Sequence, residues 1–158
     1  MPELEVEVGQ LLLARKMTFG AVESASGGLI SHRMTNVSGC SACCKGSVTS
    51  YCNEIKKRLI GVKEETLAKY GAVSPQVAEE MAAGGRKVLN VDICVADTGI
   101  AGPAGGTPQK PVGLFFIGLA TKDGVSSRRF EFHGDRLQNK QSAAEAALGW
   151  VKEYLLSL

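Results

Sequence analysis

The sequence lacks the features that would place this protein in a membrane or on a polyanion. Its 158 residues contain no apolar run long enough to span a bilayer. The formal net charge is only +2, from 18 basic and 16 acidic side chains, so charge gives no argument for binding to nucleic acid or to a membrane surface. Glu3, Glu5 and Glu7 stand where a secretory signal would carry basic residues, so we expect no signal peptide and a cytoplasmic location.

Metal ligands are also scarce. The only histidines are His32 and His133, and the Cys40-x-x-Cys43 spacing has no second pair of the same kind. An odd number of cysteines argues against a disulfide framework. We therefore expect no metal and no cofactor, with free thiols in or near the core, while a thiol or metal function stays open as an alternative. The five cysteines are Cys40, Cys43, Cys44, Cys52 and Cys94.

The composition is that of an ordinary globule, with 44% hydrophobic and 22% charged residues, and the length fits a single domain over residues 1–158. Helical and strand patterns alternate and end in a hairpin around Asp123, which predicts an α/β fold. The expected architecture is a three-layer α/β/α sandwich with a mixed, mostly parallel five-stranded sheet. Helices are predicted at 3–16 (Pro2 at its start), 29–36, 54–60, 64–70, 75–89 and 138–156, and strands at 17–22, 46–51, 91–96, 112–120 and 126–133.

A strand that turns directly into a helix organises the N-terminal third of the chain. Between the strand and the helix lie a carboxylate, two hydroxyls and two glycines, over residues 23–28. Such a turn places side chains at the carboxyl edge of the sheet, where open α/β folds bind ligands, and the helix N-terminus suits a phosphate or an oxyanion. The alternative is that Ser24 or Ser26 only caps the helix.

A second unusual stretch covers residues 97–111, where four glycines and three prolines exclude a regular element. The stretch is either a ligand-binding loop or a rigid connector. Because parallel strands end at the same edge of a sheet, we expect Ser24, Thr98 and the segment from Tyr51 to Lys56 to meet there.

A serine hydroxyl needs a base to become a nucleophile, and neither histidine forms a convincing triad. Lys56 is the better candidate. With Asn53 as the N-cap, it would lie in the first turn of a helix, where the helix dipole and burial disfavour the ammonium form. The alternative is a solvated lysine on a basic helix face.

Four motifs together resemble the CinA carboxy-terminal domain family, over nearly the whole chain and in the same order. The characterised members of this family are nicotinamide-nucleotide amidases. The motifs are Glu23-Ser24-Ala25-Ser26-Gly27-Gly28, Tyr51-Cys52-Asn53-Glu54-Ile55-Lys56, Gly71-Ala72-Val73-Ser74, and Thr98-Gly99-Ile100-Ala101-Gly102-Pro103 with Gly105-Gly106-Thr107 and Lys110-Pro111-Val112-Gly113.

The resemblance implies hydrolysis of the carboxamide of nicotinamide mononucleotide without a metal, in a bacterial protein that recycles pyridine nucleotides. It makes Ser24 the nucleophile, Lys56 the base and Tyr51 a supporting hydroxyl. It also implies a small-molecule nucleotide as the binding partner and a homo-oligomer. The net charge of +2 already argues against a nucleic acid or a membrane as partner. The implied substrate-binding residues are Ser26, Gly27, Gly28, Thr98, Gly99, Gly105, Gly106, Thr107 and Arg136.

The chain departs from the family pattern in several places. Ala25 and Ser26 replace a Cys-Thr pair, Cys43 and Cys44 stand where aromatic residues are usual, and Lys140 replaces an arginine. A nucleotide-binding or regulatory module without turnover is therefore the alternative function.

Overall fold

The computed structural model describes residues 3–158, so the expected helix-starting role of Pro2 lies outside the described residues. Five strands form one sheet in the order β2-β1-β3-β4-β5. The strands are β1 (Phe19–Glu23), β2 (Cys44–Thr49), β3 (Ile93–Gly99), β4 (Leu114–Thr121) and β5 (Gly124–Glu131), and the helices are α1 (Leu4–Arg15), α2 (Leu29–Thr35), α3 (Asn53–Ile55), α4 (Glu64–Tyr70), α5 (Pro75–Leu89) and α6 (Arg136–Leu156).

The sheet is mixed, as expected. Strand β1 pairs in parallel with β2 and with β3, whereas β4 is antiparallel to both β3 and β5. Four of the five strands therefore run in the same direction. Their carboxyl ends define one edge of the sheet, and the predicted hairpin between β4 and β5 is confirmed, with Lys122 and Asp123 as its two connecting residues.

Helices cover both faces of the sheet, which gives the predicted three layers. One core lies between the sheet and α1, α2 and α6, and includes Leu12, Ile30 and Leu148. The other lies beneath α5 and includes Val77 and Met81. Strands β3 and β4 are buried on both sides except at Gly99, which explains their nearly continuous apolar sequence.

Local signals set the ends of the two longest helices. Ser74 caps α5, with its hydroxyl accepting from the Val77 N–H at 3.2 Å, and Pro75 occupies the first turn. Helix α6 begins at Arg136, two residues before its predicted start, because Asp135 and Gln138 form a capping box. The side chains of α6 predicted to face inwards are buried: Ala144, Ala147, Leu148, Val151 and Leu155.

Some predicted boundaries were wrong. The short helix is capped by Cys52 rather than Asn53, and after one α-turn it continues as a π-helical turn, Lys56–Ile60. Lys56 therefore lies one position deeper than expected. Asp97, Thr98 and Gly99 extend β3 and do not belong to an irregular loop. Val88 was predicted to face inwards with Val77 and Met81, but it is 55% exposed.

Candidate active site

The turn after β1 places Ser24 at the carboxyl edge of the sheet. The Ser24 carbonyl accepts from the Gly27 N–H at 3.0 Å, which closes a tight turn before α2. Glu23, the last residue of β1, accepts from the Ile30 and Ser31 N–H groups at 2.8 and 3.0 Å. The start of α2 is thus capped by Glu23, so the predictions that a serine caps it, or that it offers free N–H groups to an anion, were wrong.

Lys56 contacts Ser24 directly. Its Nζ lies 2.9 Å from Ser24 Oγ, 2.9 Å from the Ser50 carbonyl oxygen and 3.0 Å from the Tyr51 carbonyl oxygen. The side chain is only 1% exposed. Burial lowers the pKa of Lys56 below its ordinary value, and the negative charge of Asp97 and the Cys52 thiol act in the opposite direction. The alternative of a solvated surface lysine is therefore wrong.

Two backbone groups of the Ser24 turn are held by Asp97, in the neighbouring strand β3. The Ser24 N–H donates to Asp97 Oδ1 at 3.1 Å and the Ser26 N–H donates to Asp97 Oδ2 at 2.9 Å. Asp97 is fully buried, and burial raises its pKa to about 6. The position of the Ser24 hydroxyl is therefore set by the sheet itself and not by a flexible loop.

A cleft of about 320 Å³ opens above Ser24 and Lys56. One wall is the glycine-rich segment after β3, and another is the turn between α4 and α5. Ala25, beside Ser24, also lines the cleft, and within the described residues its N–H has no hydrogen-bond acceptor. The cleft is lined by Ser24, Ala25, Tyr51, Asn53, Lys56, Ala72, Val73, Thr98, Gly99, Ile100, Ala101, Gly102, Ala104, Gly105 and Arg136.

Arg136 and Tyr51 stand at the rim of this cleft. Arg136 donates to the Gly102 carbonyl oxygen at 2.7 Å and to the Tyr51 hydroxyl at 3.3 Å. Tyr51 is 61% exposed, and its carbonyl, not its hydroxyl, contacts Lys56. The pair thus joins the first turn of α6 to the segment before Lys56, and it brings a cation to the cleft mouth.

The chain matches a known protein family over nearly its whole length. The family model "CinA C-terminal domain" matches residues 1–155. The chain belongs to the CinA family. It is 47% identical over 156 residues to a CinA-like protein from Chloroherpeton thalassium, and 49% identical over 150 residues to a CinA-like protein from Chlorobaculum tepidum. Those alignments cover 96% and 92% of this chain but only 37% and 36% of the relatives, so the chain spans little more than a third of their length.

Solved structures give the same family. A competence-damaged protein (CinA) superfamily protein from Klebsiella pneumoniae superposes with a TM-score of 0.94 at 28% identity, covering 98% of this chain and 97% of that one. A competence/damage inducible protein from Agrobacterium tumefaciens superposes with a TM-score of 0.89 at 31% identity, covering 96% and 95%. The resemblance found in the sequence and the α/β fold are both confirmed.

The CinA domain brings most, but not all, of the predicted site residues together. The cleft contains Ser24, Tyr51, Lys56, Thr98, Gly99, Gly105 and Arg136. Outside its lining are Ser26, Gly27, Gly28, Gly106 and Thr107. Ser26 is 1% exposed and its hydroxyl contacts Glu23 and Asp97. The Thr107 hydroxyl accepts from the Lys110 N–H and so stabilises its own loop. Roles for these five residues in binding stay predictions.

Sequence reasoning missed Asp97 as a candidate of its own. The available signal was a single carboxylate at the end of an apolar run, directly before Thr98. A charged group in a strand buried on both faces is costly unless it is hydrogen-bonded, so its presence points to a specific use. Ala72 and Val73 were noted only as part of a family motif. They reach the cleft because the Thr98 hydroxyl donates to the Ala72 carbonyl oxygen at 2.8 Å.

The cysteines of the CinA domain lie outside the cleft lining. Cys43 and Cys94 are buried, and Cys40 and Cys44 are partly buried, but Cys52 is exposed, contrary to the expectation that the thiols lie near the core. Burial raises the pKa of Cys94 and of Cys44 to about 12. Among residues 3–158, no cluster of three or more histidine, cysteine or acidic side chains could hold a metal ion.

None of the helices over residues 3–158 combines the length and the apolar character needed to cross a bilayer.

Proposed function

We propose that this CinA domain hydrolyses the carboxamide of nicotinamide mononucleotide, releasing nicotinate mononucleotide and ammonia. The observation that carries the proposal is the 2.9 Å contact between Lys56 Nζ and Ser24 Oγ at the base of a cleft. A buried amine in contact with a serine hydroxyl is the arrangement that Ser–Lys hydrolases use. The substrate is taken from the resemblance to the nicotinamide-nucleotide amidases.

As an ammonium, Lys56 can donate to all three oxygens around it, and as a neutral amine it keeps two of these hydrogen bonds. A neutral amine has two N–H donors and one lone pair, and two carbonyl oxygens, of Ser50 and Tyr51, accept from Nζ. These two contacts use both donors and leave the lone pair for the Ser24 hydroxyl proton. Because burial lowers the pKa of Lys56, the neutral form is populated at lower pH than in an exposed lysine.

The reaction then has two halves. Ser24 Oγ attacks the carboxamide carbon while its proton moves to Lys56, and the carbonyl oxygen becomes an oxyanion. We assign the free Ala25 N–H as one donor to this oxyanion. Lys56 then donates this proton to the carboxamide nitrogen. The nitrogen leaves as ammonia, and the acyl group stays on Ser24 as an ester. Water, deprotonated by Lys56, attacks the ester carbonyl carbon. Lys56 passes that proton to Ser24 Oγ as the bond to the acyl group breaks, and the acid product leaves and ionises to the carboxylate.

Arg136 supports an anionic substrate. It is the cation at the cleft mouth, on the first turn of α6, and its guanidinium is partly committed to the Gly102 carbonyl oxygen and the Tyr51 hydroxyl. A phosphate near this rim would find a donor group whose fork geometry matches its oxygens. Tyr51, exposed beside it, offers a ring face to the substrate. The role of the Tyr51 hydroxyl in supporting catalysis stays a prediction.

Ammonia release tests the proposal. Nicotinamide mononucleotide, its riboside and free nicotinamide are compared with wild-type protein, Ser24→Ala and Lys56→Met. We expect the nucleotide to be preferred and both variants to lose roughly 10³-fold or more in kcat/KM, since each removes a member of the reacting pair. Lys57→Met is the matched control, because the neighbouring lysine is more exposed and, within residues 3–158, its one ion pair is with Glu64.

Wild-type rates in Ser24→Ala or Lys56→Met would contradict the mechanism. Binding of the nucleotide by calorimetry, with no ammonia released by wild-type protein, would instead identify a binding or regulatory module.

A further inference from the structure

Two buried carboxyl groups lie side by side beneath the proposed nucleophile. Val22 of β1 pairs with Ala96 of β3, so the next residues, Glu23 and Asp97, are neighbours at the carboxyl edge. Both are 0% exposed. Among the ion pairs of residues 3–158, neither of them takes part. Burying two acids without a paired cation is costly, so their hydrogen bonds have to stabilise them.

If both acids are ionised, their contacts with Ser26 require more hydrogens than the Ser26 hydroxyl can supply. Glu23 accepts two N–H groups from α2, and Asp97 accepts two from the Ser24 turn. The Ser26 hydroxyl lies 2.7 Å from Glu23 Oε1 and also contacts Asp97 Oδ1. One hydroxyl has one hydrogen, so it can donate to only one of the two acids. The other contact is a hydrogen bond only when that acid carries a proton.

Asp97 is the acid that best accommodates this proton. Burial raises its pKa to about 6, and the charge of Glu23 contributes in the same direction. With Asp97 protonated, its O–H donates to Ser26 Oγ, whose own hydrogen then points to Glu23. With Asp97 ionised, its negative charge favours the ammonium form of Lys56, against the effect of burial on that lysine.

We propose that Asp97 is the positioning residue of this site: it holds the Ser24 turn by two backbone hydrogen bonds, and its charge sets how readily Lys56 gives up its proton. The proposal rests on the proposed function of Ser24 and Lys56. Two other titratable groups face this pair. Glu23 on β1 raises the pKa of Asp97, and the Cys52 thiol, directly before the short helix, raises the pKa of Lys56. The β4 partner of Asp97 is Ile117, which carries no charge.

The test measures Lys56 directly in Asp97→Asn. NMR of protein labelled at the lysine ε-carbons follows the titration of Lys56 without substrate, with the signal assigned through Lys56→Arg. Removing the negative charge should move the Lys56 midpoint to lower pH, because the ammonium form loses its stabilising anion. In turnover, the alkaline-rising limb of kcat/KM should move to lower pH as well. Its plateau should fall roughly 10- to 100-fold, since the Ser24 turn loses an acceptor.

Asp92→Asn is the matched control. Asp92 accepts from the N–H and the hydroxyl of Thr18, at 2.8 and 3.1 Å, and so joins the opposite ends of the same two strands. This variant makes the same chemical change far from Lys56 and should leave the Lys56 midpoint where it is. An unchanged midpoint in Asp97→Asn, even with a reduced rate, would reduce Asp97 to a structural residue and overturn the proposal.

A second pair of variants covers the case in which Asp97→Asn does not fold. Ser26→Ala removes the hydroxyl that contacts Asp97 in both protonation states. Because a hydrogen bond to the charged carboxylate is the stronger of the two, Asp97 should stay neutral to higher pH in this variant and the Lys56 midpoint should fall. Ser26→Thr keeps the hydroxyl and should restore the wild-type midpoint. Equal midpoints in all three proteins would also overturn the proposal. If the midpoints shift but wild-type protein releases no ammonia, the proposed function is wrong, and the effect of the Asp97 charge on Lys56 is still supported.

Discussion

Residue type alone does not predict the role of a side chain in this site, as Ser24, Ser26 and Lys56 show. Two serines two positions apart have different surroundings: Ser24 faces the cleft and contacts Lys56, whereas Ser26 is enclosed by two carboxyl groups. Three neighbouring cations, Lys56, Lys57 and Arg58, also differ, since only Lys56 is buried. Burial and contact, not sequence position, separate the candidate nucleophile and base from their neighbours.

At the scale of one residue, the raised pKa of Asp97 predicts how the stability of the protein depends on pH. Its pKa in the folded state, about 6, is above the ordinary value of 3.8. Between pH 3.8 and pH 6, the folded protein therefore keeps a proton on Asp97 that the unfolded chain has released. The stability that this proton contributes is fully present below pH 3.8 and is lost as pH rises through 6. Relative to Asp97→Asn, wild-type protein should lose on the order of 3 kcal/mol of unfolding free energy over this range.

Urea unfolding of both proteins at several pH values measures this difference. The variant cancels the contributions of the other acids, because they are common to both chains. A difference that is constant between pH 3.8 and 6, or that grows in favour of wild type as pH rises, would contradict the raised pKa.

At the scale of elements, the site depends on how closely α5 approaches the turn that carries Lys56. Gly84 in α5 lies against the carbonyl of Ile60, the last residue of the π-helical turn, and a Cβ there would collide with that oxygen. Gly85 lies equally close to Val22 of β1. The two glycines weaken α5 as an isolated helix, but they let it pack directly on the segments that position Ser24 and Lys56.

Gly84→Ala should therefore destabilise the protein by about 1–3 kcal/mol and reduce ammonia release, since either α5 or the Lys56 turn has to move. Gly149→Ala is the control from the middle of α6, where a Cβ meets nothing within 4 Å. That variant should gain about 0.5–1 kcal/mol from helix propensity. Denaturant unfolding and the ammonia assay report both effects, and a Gly84→Ala protein as stable and active as wild type would contradict the packing argument.

At the scale of the whole molecule, the cleft is assembled from parts distant in sequence. The end of β1, the segment 51–56, the turn between α4 and α5, the end of β3 and the start of α6 all contribute to it. A ligand that bridges them binds only the folded state, so it should stabilise the entire fold.

Nicotinamide mononucleotide at about 100 times its dissociation constant should add about 2.7 kcal/mol to the stability of Ser24→Ala, which binds without turning over. For a chain of this size that corresponds to a rise in Tm of roughly 5–10 °C. Differential scanning fluorimetry measures the shift, with Arg136→Ala expected to show a smaller one. No shift for Ser24→Ala at saturating nucleotide would argue against this ligand.

The sequence by itself determined what depends on neighbouring residues. The Ser74-Pro75 helix start, the Gly61 and Gly71 helix ends and the hairpin at Asp123 follow from local conformational preferences and hydrogen bonds. The apolar runs of β3 and β4 indicated buried strands, because a strand covered on both faces has no polar side to show. With the family motifs, these features sufficed for the three layers and for naming Ser24 and Lys56.

Only the tertiary structure decided which groups meet. Ser24 and Lys56 are 32 positions apart, and Ser24 and Asp97 are 73 apart, so no periodicity can report their contacts. The capping of α2 by Glu23 instead of a serine, and the burial of Ser26 away from the cleft, follow from the pairing of β1 with β3. That pairing brings Glu23 and Asp97 together out of water, next to the buried Lys56, and in a medium of low polarizability each of these groups responds to the charge of the others.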